Sequence, residues 1–172
     1  MQRFLFLAVL ALPATSLAAS GGPDYYGYMW ADNTSGGSAY SYEYAPNTLT
    51  LPGDDGSAEV TMPFTIDYYG YAANTLRVHS NGAASFFMSS SLAASNSCPI
   101  AWAGEYLIAP FWDDLRSSTA GAIYVGALGT APNRRYVVEW YAVGHQFTTG
   151  SLTFEIKIFE ADGHIEFHYE DV

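Results

Sequence analysis

The chain of 172 residues has a single cysteine, Cys98, and few charged residues. One cysteine excludes an intrachain disulfide, so packing must stabilise the fold. Only 6 Lys and Arg stand against 17 Asp and Glu, which gives a formal net charge of −11. A chain this acidic is a poor partner for nucleic acid or an anionic membrane. Because charged residues make up only 13% of the chain, we predict a neutral, hydrogen-bonding surface rich in tyrosine.

Long apolar runs are absent after the first 20 residues. That opening stretch, MQRFLFLAVLALPATSLAAS, has a basic Arg3, an apolar run from Phe4 to Leu12 and a small residue at Ala18. The pattern is typical of a signal peptide cleaved near Ala18, and its apolar run is too short to span a bilayer. We therefore predict a signal peptide over 1–18 and one exported domain over 19–172, secreted or at the cell surface, without membrane insertion.

No segment shows a helical period over three turns, whereas several alternate apolar and polar residues, which predicts half-buried strands. The alternating segments are 59–67, 76–78, 136–140, 152–158 and 165–169. Asp162-Gly163, between the last two, is a strong hairpin signal because both central positions of a two-residue turn favour positive φ. Many short strands with frequent turns predict an all-β fold, an antiparallel β-sandwich of jelly-roll type.

One of these strands has an apolar face made of Tyr136, Val138 and Trp140, and a second face that includes Glu139 and Tyr141. Neighbouring residues of a strand point to opposite sides of a sheet. We therefore expect Trp140 to lie in the core.

Residues 19–56 are rich in Tyr, Gly, Ser and Asn, which predicts loops with one or two short strands near 40–44 and 48–51. Tyrosine and tryptophan offer a large contact area at low entropy cost, which suits sugar faces and protein surfaces. The candidate binding residues are Tyr25, Tyr26, Tyr28, Trp30, Tyr68 and Tyr69. They come from three aromatic clusters in the sequence, at 25–30, 40–44 and 68–71, of which the first and the last contain them. The alternative is that strand alternation turns half of each cluster towards the core.

The segment APFWDDL places Asp113 and Asp114 after an apolar stretch. We predict that Leu107–Trp112 is a buried strand, ended by a turn in which the aspartates accept backbone N–H bonds and pair with Arg116. Adjacent strand residues face opposite ways, which disfavours a catalytic carboxylate pair. A calcium site completed by another loop is the alternative, with Asp113 and Asp114 as candidate ligands. Carboxylates are too sparse here for calcium to be required for folding.

His164, Glu166 and His168 lie two residues apart in HIEFH and share one face of a predicted strand. This spacing allows chelation of zinc, and the alternative is a polar, solvated face. No G-x-S-x-G motif marks a serine nucleophile. We therefore predict no catalytic residue, no metal and no cofactor.

Six short segments, taken in order, resemble the nidogen-like (NIDO-type) extracellular domain of bacterial secreted and surface proteins. They are GPDYYGYMW from Gly22, MPFTIDYYG from Met62, LRVHSNGAASF from Leu76, IAPFWDDL from Ile108, APNRRYVVEWYAV from Ala131 and LTFEIKIFEADGHIEFHY from Leu152. The resemblance implies a β-sandwich for adhesion or matrix association, without catalytic residues. In such domains one or two further strands usually follow the segment matching Phe167–Val172. The resemblance thus implies either a missing last strand or a longer protein.

We therefore expect a non-catalytic extracellular binding or adhesion module, with an extracellular protein or glycan as its partner. The alternative is a carbohydrate-binding accessory domain of a secreted hydrolase or peptidase. A free-standing enzyme is a third interpretation. A neighbouring hydrolase domain in the complete reading frame would favour the accessory role.

Overall fold

The computed structural model describes residues 19–52, 54–87, 91–96, 106–117 and 121–172. Every regular element among these residues is a β-strand. The described part of the chain therefore has no helix long and apolar enough to cross a membrane. The chain divides into two compact units, the first ending at Ala39 and the second running from Tyr40 to Val172. The predicted signal peptide and Cys98 lie outside the described residues.

The first unit is a short antiparallel hairpin within residues 19–39. Its strands β1 (Ser20–Gly21) and β2 (Trp30–Ala31) pair with Gly21 opposite Trp30. A Cβ on Gly21 would lie 2.5 Å from the indole nitrogen of Trp30, so only glycine lets the indole approach this closely. None of residues 19–39 is buried. Hydrogen bonds, rather than a core, hold this hairpin together.

The second unit contains two antiparallel sheets. Its strands are β3 (Asn47–Leu49), β4 (Ser57–Tyr68), β5 (Tyr71–His79), β6 (Ala83–Ser85), β7 (Leu107–Ile108), β8 (Leu115–Arg116), β9 (Ala122–Leu128), β10 (Arg135–His145), β11 (Ser151–Phe159) and β12 (Ile165–Asp171). One sheet has the order β4-β5-β6-β7. The other has the order β12-β11-β10-β9-β3, with β8 paired to the end of β10. The predicted all-β, antiparallel β-sandwich is confirmed.

Alternating apolar residues of the two sheets form the main core. On β4 the apolar residues from Met62 to Ile66 are buried while the residues between them are exposed. Trp140 on β10 is 0% exposed, and its ring stacks on that of Phe154 with centroids 5.1 Å apart. Its indole N–H donates to the carbonyl oxygen of His79 at 3.0 Å. The predicted core position of Trp140 is confirmed.

The β11–β12 hairpin forms where the Asp-Gly pair predicts it, with a different turn. Gly163 has φ 73°, while Asp162 is not in the left-handed region. The Asp162 carboxylate instead accepts the N–H of His164 at 3.2 Å. The turn is longer than two residues. The hydrogen bond from His164 to the Asp162 carboxylate stabilises it, so a second residue with positive φ is not needed.

Two predicted strands are shorter than expected or absent. The predicted strand Leu107–Trp112 is reduced to the two residues of β7, because the chain then turns across the β5–β6 connection. There the N–H of Phe111 donates to the Gly82 carbonyl at 3.4 Å, and that of Asp113 to the Asn81 carbonyl at 3.3 Å. Residues 40–44 form no regular strand.

The faces of β10 and β11 that point away from the core are also buried. Glu139, Glu155 and Lys157 are 1%, 0% and 2% exposed. The alternation predicted half-buried strands here, and this part of the prediction is wrong. Residues 40–45 cover the second face, because their backbone and side chains bond to these charged groups.

Candidate binding surface

The N-terminal hairpin carries four of the six predicted binding residues, three between its strands and Trp30 at the start of β2, all within residues 24–30, the hairpin loop. Tyr25, Tyr26 and Trp30 are 97%, 60% and 59% exposed, and Met29 between them is 74% exposed. Tyr28 is half-buried. The rings of Tyr25 and Tyr26 meet edge to face with centroids 5.4 Å apart. So many large exposed apolar side chains on a short segment are typical of an interaction surface.

Asp24 shapes this loop. Its carboxylate accepts the N–H groups of Tyr26 and Tyr28, both at 2.9 Å, and its own N–H donates to the Tyr28 carbonyl at 2.9 Å. Gly27 has φ 90° and donates its N–H to the Asp24 carbonyl at 3.0 Å. The aromatic side chains therefore project from a backbone that the aspartate fixes.

The other two predicted binding residues lie at the tip of the β4–β5 hairpin, in the second unit. Tyr69 and Gly70 have φ 53° and 79°, as a type I′ turn requires, and the Asp67 carboxylate accepts the Gly70 N–H at 2.9 Å. A tyrosine at positive φ is strained, and such strain clusters at functional sites. Tyr68 meets Tyr69 edge to face at 4.8 Å.

Three further residues, Tyr71, Phe87 and Tyr106, form a β4–β5 aromatic cluster with this hairpin tip, and Tyr71 and Tyr106, like Tyr68, are half-buried against the core. Tyr71 stacks on Tyr106 with centroids 5.0 Å apart, and Phe87 lies 5.9 Å from Tyr71 and 6.4 Å from Tyr106. Phe87 is 61% exposed. The sequence groups Tyr71 with Tyr68 and Tyr69 but not with Phe87 or Tyr106, because only the pairing of β5, β6 and β7 brings these two residues to Tyr71.

The adjacent carboxylates Asp113 and Asp114 lie in the loop between β7 and β8. Asp113 accepts the N–H of Asp114 at 2.8 Å, which confirms its predicted role in the turn. Its second oxygen lies 3.3 Å from Nε2 of His145. Arg116 does not take the predicted place beside Asp113, since its guanidinium donates to the Gln146 carbonyl. The calcium prediction is untested by this geometry and stays a prediction.

A histidine and a serine meet inside the sandwich. Nε2 of His79 lies 3.0 Å from the hydroxyl oxygen of Ser85, and both residues are 0% exposed. Burial, assisted by the charge of Arg77, lowers the pKa of His79 to about 4. The imidazole is therefore neutral near pH 7, and solvent does not reach the serine.

A buried ionic cluster joins residues 40–45 to the second face of the six-stranded sheet. Nζ of Lys157 lies 3.2 Å from the carboxylate of Glu43 and 3.3 Å from that of Glu155, and it donates to the Ser41 carbonyl. Two guanidinium nitrogens of Arg135 donate to Glu43. These bonds are the means by which the segment covers the sheet.

The carboxyl groups of this cluster are held in different states. Burial raises the pKa of Glu155 to about 7, against the lowering effect of Lys157 and of the Glu43 N–H. Burial likewise raises the pKa of Glu139, which accepts the hydroxyl of Tyr42 at 3.1 Å. The hydrogen bonds from Arg135 lower the pKa of Glu43. The cations thus keep Glu43 ionised and balance its charge, whereas Glu155 titrates near neutral pH.

The segment formed by residues 40–45 also covers part of the HIEFH sequence at the start of β12. Glu166 and His168 share a face, as predicted, with their side chains 2.8 Å apart. That face is covered instead of solvated, because His168 is 4% exposed and accepts the Ser41 N–H at 3.3 Å. His164 is exposed, 2.5 Å from the Asp162 carboxylate, and its other ring nitrogen lies 3.4 Å from the Glu166 carboxylate. No group of three or more His, Cys, Asp or Glu in the described ranges is arranged to hold a metal ion.

Comparison with known protein families connects this architecture to others. A family model described as NIDO related matches residues 28–172, which span the second unit and the second strand of the hairpin. The chain belongs to the NIDO-related family. The predicted resemblance to a NIDO-type domain is thereby confirmed, and such domains are typically extracellular. No curated protein and no solved structure matches the chain.

The main feature that the sequence did not reveal is the ionic cluster beneath residues 40–45. The spacing of Glu155 and Lys157 matches a solvated strand face equally well. One pattern could have revealed it. Glu139, Glu155 and Lys157 lie on long strands in the middle of a sheet, where an exposed face is less common than at the edges. That signal indicates a covered face but not which segment covers it.

Proposed function

We propose that this NIDO-related chain is an exported, non-catalytic module that binds an extracellular protein or glycan through the loop of its N-terminal hairpin. The observation that carries this proposal is the exposure of Tyr25, Tyr26, Met29 and Trp30 on a backbone fixed by Asp24. Rigid aromatic side chains lose little entropy on binding and combine apolar contact with polar tips. The extracellular character of the family supports export.

The surroundings of the acids, histidines and serines support a non-catalytic role. The Ser85 hydroxyl is enclosed with a neutral His79, so no substrate reaches this pair. Asp113 lies beside His145, whose other ring nitrogen accepts the N–H of Phe147 at 3.0 Å. With both nitrogens of His145 engaged, the imidazole has no site left for activating a nucleophile.

Binding to arrays of glycans and of extracellular matrix proteins tests the proposal. The triple variant Tyr25→Ser, Tyr26→Ser, Trp30→Ser is expected to lose at least about tenfold in affinity for the preferred ligand, as interface anchors do when truncated. Phe147→Ser is the matched control, since Phe147 is 79% exposed and lies outside both aromatic clusters. Deglycosylation of the arrayed proteins separates a glycan from a protein partner. Full binding by the triple variant would overturn the proposal.

The β4–β5 aromatic cluster favours a second candidate function, carbohydrate binding as an accessory domain of a hydrolase. Tyr71 stacked on Tyr106 beside the exposed Phe87 forms an aromatic surface of the kind on which sugar rings pack. In that case Phe87→Ser would abolish adsorption to insoluble polysaccharide. The hairpin triple variant would retain it.

A further inference from the structure

The predicted cleavage site and the structure meet at one residue, Ala19. Cleavage after Ala18 would make Ala19 the first residue of the exported chain. The backbone nitrogen of Ala19 lies 2.9 Å from one carboxylate oxygen of Asp32. In return, the Ala19 carbonyl accepts the Asp32 N–H at 2.9 Å and the hydroxyl of Ser35. Hydrogen bonds to Asp32 therefore already hold both the nitrogen and the carbonyl of the residue that cleavage would make the N-terminus.

Hydrogen bonds stabilise the ionised carboxylate of Asp32 at the open end of the hairpin. Its second carboxylate oxygen accepts the N–H of Thr34 at 3.0 Å, the hydroxyl of Thr34 at 2.8 Å and the hydroxyl of Ser35 at 2.6 Å. These hydrogen bonds, that from Ser35 first and that from Ala19 next, lower the pKa of Asp32 far below its ordinary value. The carboxylate is ionised at any physiological pH, so a positive charge beside it is stabilised.

We propose that Asp32 is the receptor for the new N-terminus, so that cleavage after Ala18 creates an ion pair between the Ala19 α-ammonium and the Asp32 carboxylate. A signal peptidase hydrolyses the Ala18–Ala19 peptide bond with one water molecule. The water hydroxyl goes to the Ala18 carboxyl group, and the Ala19 nitrogen gains a hydrogen and, near neutral pH, a further proton. The inference rests on the proposed export.

Cleavage changes the bond that Ala19 offers to Asp32. Before cleavage the nitrogen is an uncharged amide with one N–H, and afterwards it is a cation with three. A charge-assisted hydrogen bond is roughly twice as strong as a neutral one. The other carboxylate of the hairpin, Asp24, is engaged at the loop end by Tyr26 and Tyr28. Maturation therefore tightens the end of the hairpin opposite the aromatic loop.

The position of the cut decides whether this pair forms. Ser20, the next residue, is in β1 and pairs with Ala31, one place further along the hairpin. A chain beginning at Ser20 would lack the Ala19 carbonyl bonds altogether. A chain that keeps Ala18 would carry its charge one residue beyond the Asp32 carboxylate. Only a chain that begins at Ala19 therefore forms this ion pair.

The experiment begins with intact mass and N-terminal sequencing of the exported protein, which are expected to give Ala19 first. The α-amino pKa of that protein is then measured by NMR on labelled alanine. It is expected above the usual range of about 7.7–8.0 and within that range in Asp32→Asn. Exchange of the Asp32 amide hydrogen should be slower, by roughly two- to fivefold, than in the Nα-acetylated chain, as exposed ion pairs allow.

The Nα-acetylated chain keeps Asp32 and all backbone bonds, so it separates loss of charge from loss of folding in Asp32→Asn. An α-amino pKa in the ordinary range, or a different first residue in the exported protein, would overturn the inference. Neither readout involves a binding partner. A hairpin that starts at Ala19 with an ordinary α-amino pKa refutes the ion pair and leaves the binding function standing. Full binding by the triple variant would refute the proposed binding function and leave the ion pair standing.

Discussion

Trp140 connects the two sheets of the sandwich through one side chain. It packs on Phe154 of its own sheet and donates its indole N–H to the His79 carbonyl of the other. Trp140→Ala is expected to lower the free energy of unfolding by about 3–5 kcal/mol, as large aromatic truncations in cores do. Trp140→Phe keeps a ring but leaves the carbonyl without its donor, which costs about 1–3 kcal/mol. Urea denaturation measures both, and a Trp140→Phe variant as stable as the wild type would contradict the role of the hydrogen bond.

Glu155 and His79 act on stability in opposite directions between about pH 4.5 and 6.5. The pKa of Glu155 is raised from 4.5 to about 7, so its contribution is present below pH 4.5 and is lost as pH rises to about 7. Glu139 acts in the same sense. The pKa of His79 is lowered from 6.5 to about 4, so its contribution is present above pH 6.5 and is lost as pH falls to about 4.

Replacing Glu155 with a residue that does not titrate should therefore reveal the loss of stability that His79 causes on acidification. In Glu155→Gln, stability is expected to fall on acidification from pH 6.5 to 4.5 by about 1–3 kcal/mol more than in the wild type. Glu160→Gln is the control, because Arg134 lowers the pKa of Glu160 and it titrates below this window. Parallel wild-type and Glu155→Gln profiles from urea melts would rule the assignment out.

The turn between β5 and β6 depends on Gly82, which the loop after β7 approaches closely. Gly82 has φ 74°, and a Cβ there would lie 1.8 Å from the Phe111 carbonyl oxygen. Gly163 has nearly the same φ, 73°, but its nearest neighbour would be 3.9 Å away. Gly163→Ala is expected to cost about 1–2 kcal/mol for the conformation alone. Gly82→Ala should cost at least about 2 kcal/mol more. Similar thermal melts for the two variants would contradict the close approach.

The cover formed by residues 40–45 depends on the charges beneath it. Glu43→Gln leaves the buried ammonium of Lys157 with one carboxylate and is expected to cost about 1–3 kcal/mol. Lys157→Met in the same chain removes the unbalanced charge, so the double variant should lose less than the sum of the singles. The exposed pair Glu59–Arg77 is the control, and Glu59→Gln should cost below about 1 kcal/mol. Strict additivity in the double variant would refute the coupling.

Local patterns explain which elements were predictable. Alternation between Glu59 and Asp67 identified β4, because one face packs and the other meets solvent. The same rule misplaced Glu139 and Glu155, since a strand pattern does not report a segment that returns from about 100 residues away to cover it. Likewise Tyr68 and Tyr69 were found from their own segment. Tyr106 reaches Tyr71 of the same hairpin only through pairing of strands distant in the chain.

The acidity of the whole chain narrows the class of partner. A formal net charge of −11 repels polyanions, including nucleic acid and heavily sulfated glycans. Neutral glycans and proteins are compatible with it, and they also suit the uncharged aromatic residues of the hairpin loop. For an uncharged partner, electrostatic steering would contribute little, and affinity is expected to come from aromatic contact.

Hydroxyl-radical footprinting tests the central claim, that the hairpin loop is the binding surface, most directly. The protein is oxidised alone and with the arrayed ligand that it binds best. Tyr25, Tyr26, Met29 and Trp30 are reactive and largely exposed when free, so each is expected to be protected on binding while Phe147 is not. Protection confined to Phe87 and Tyr106, with the hairpin loop still oxidised at its free rate, would contradict the account.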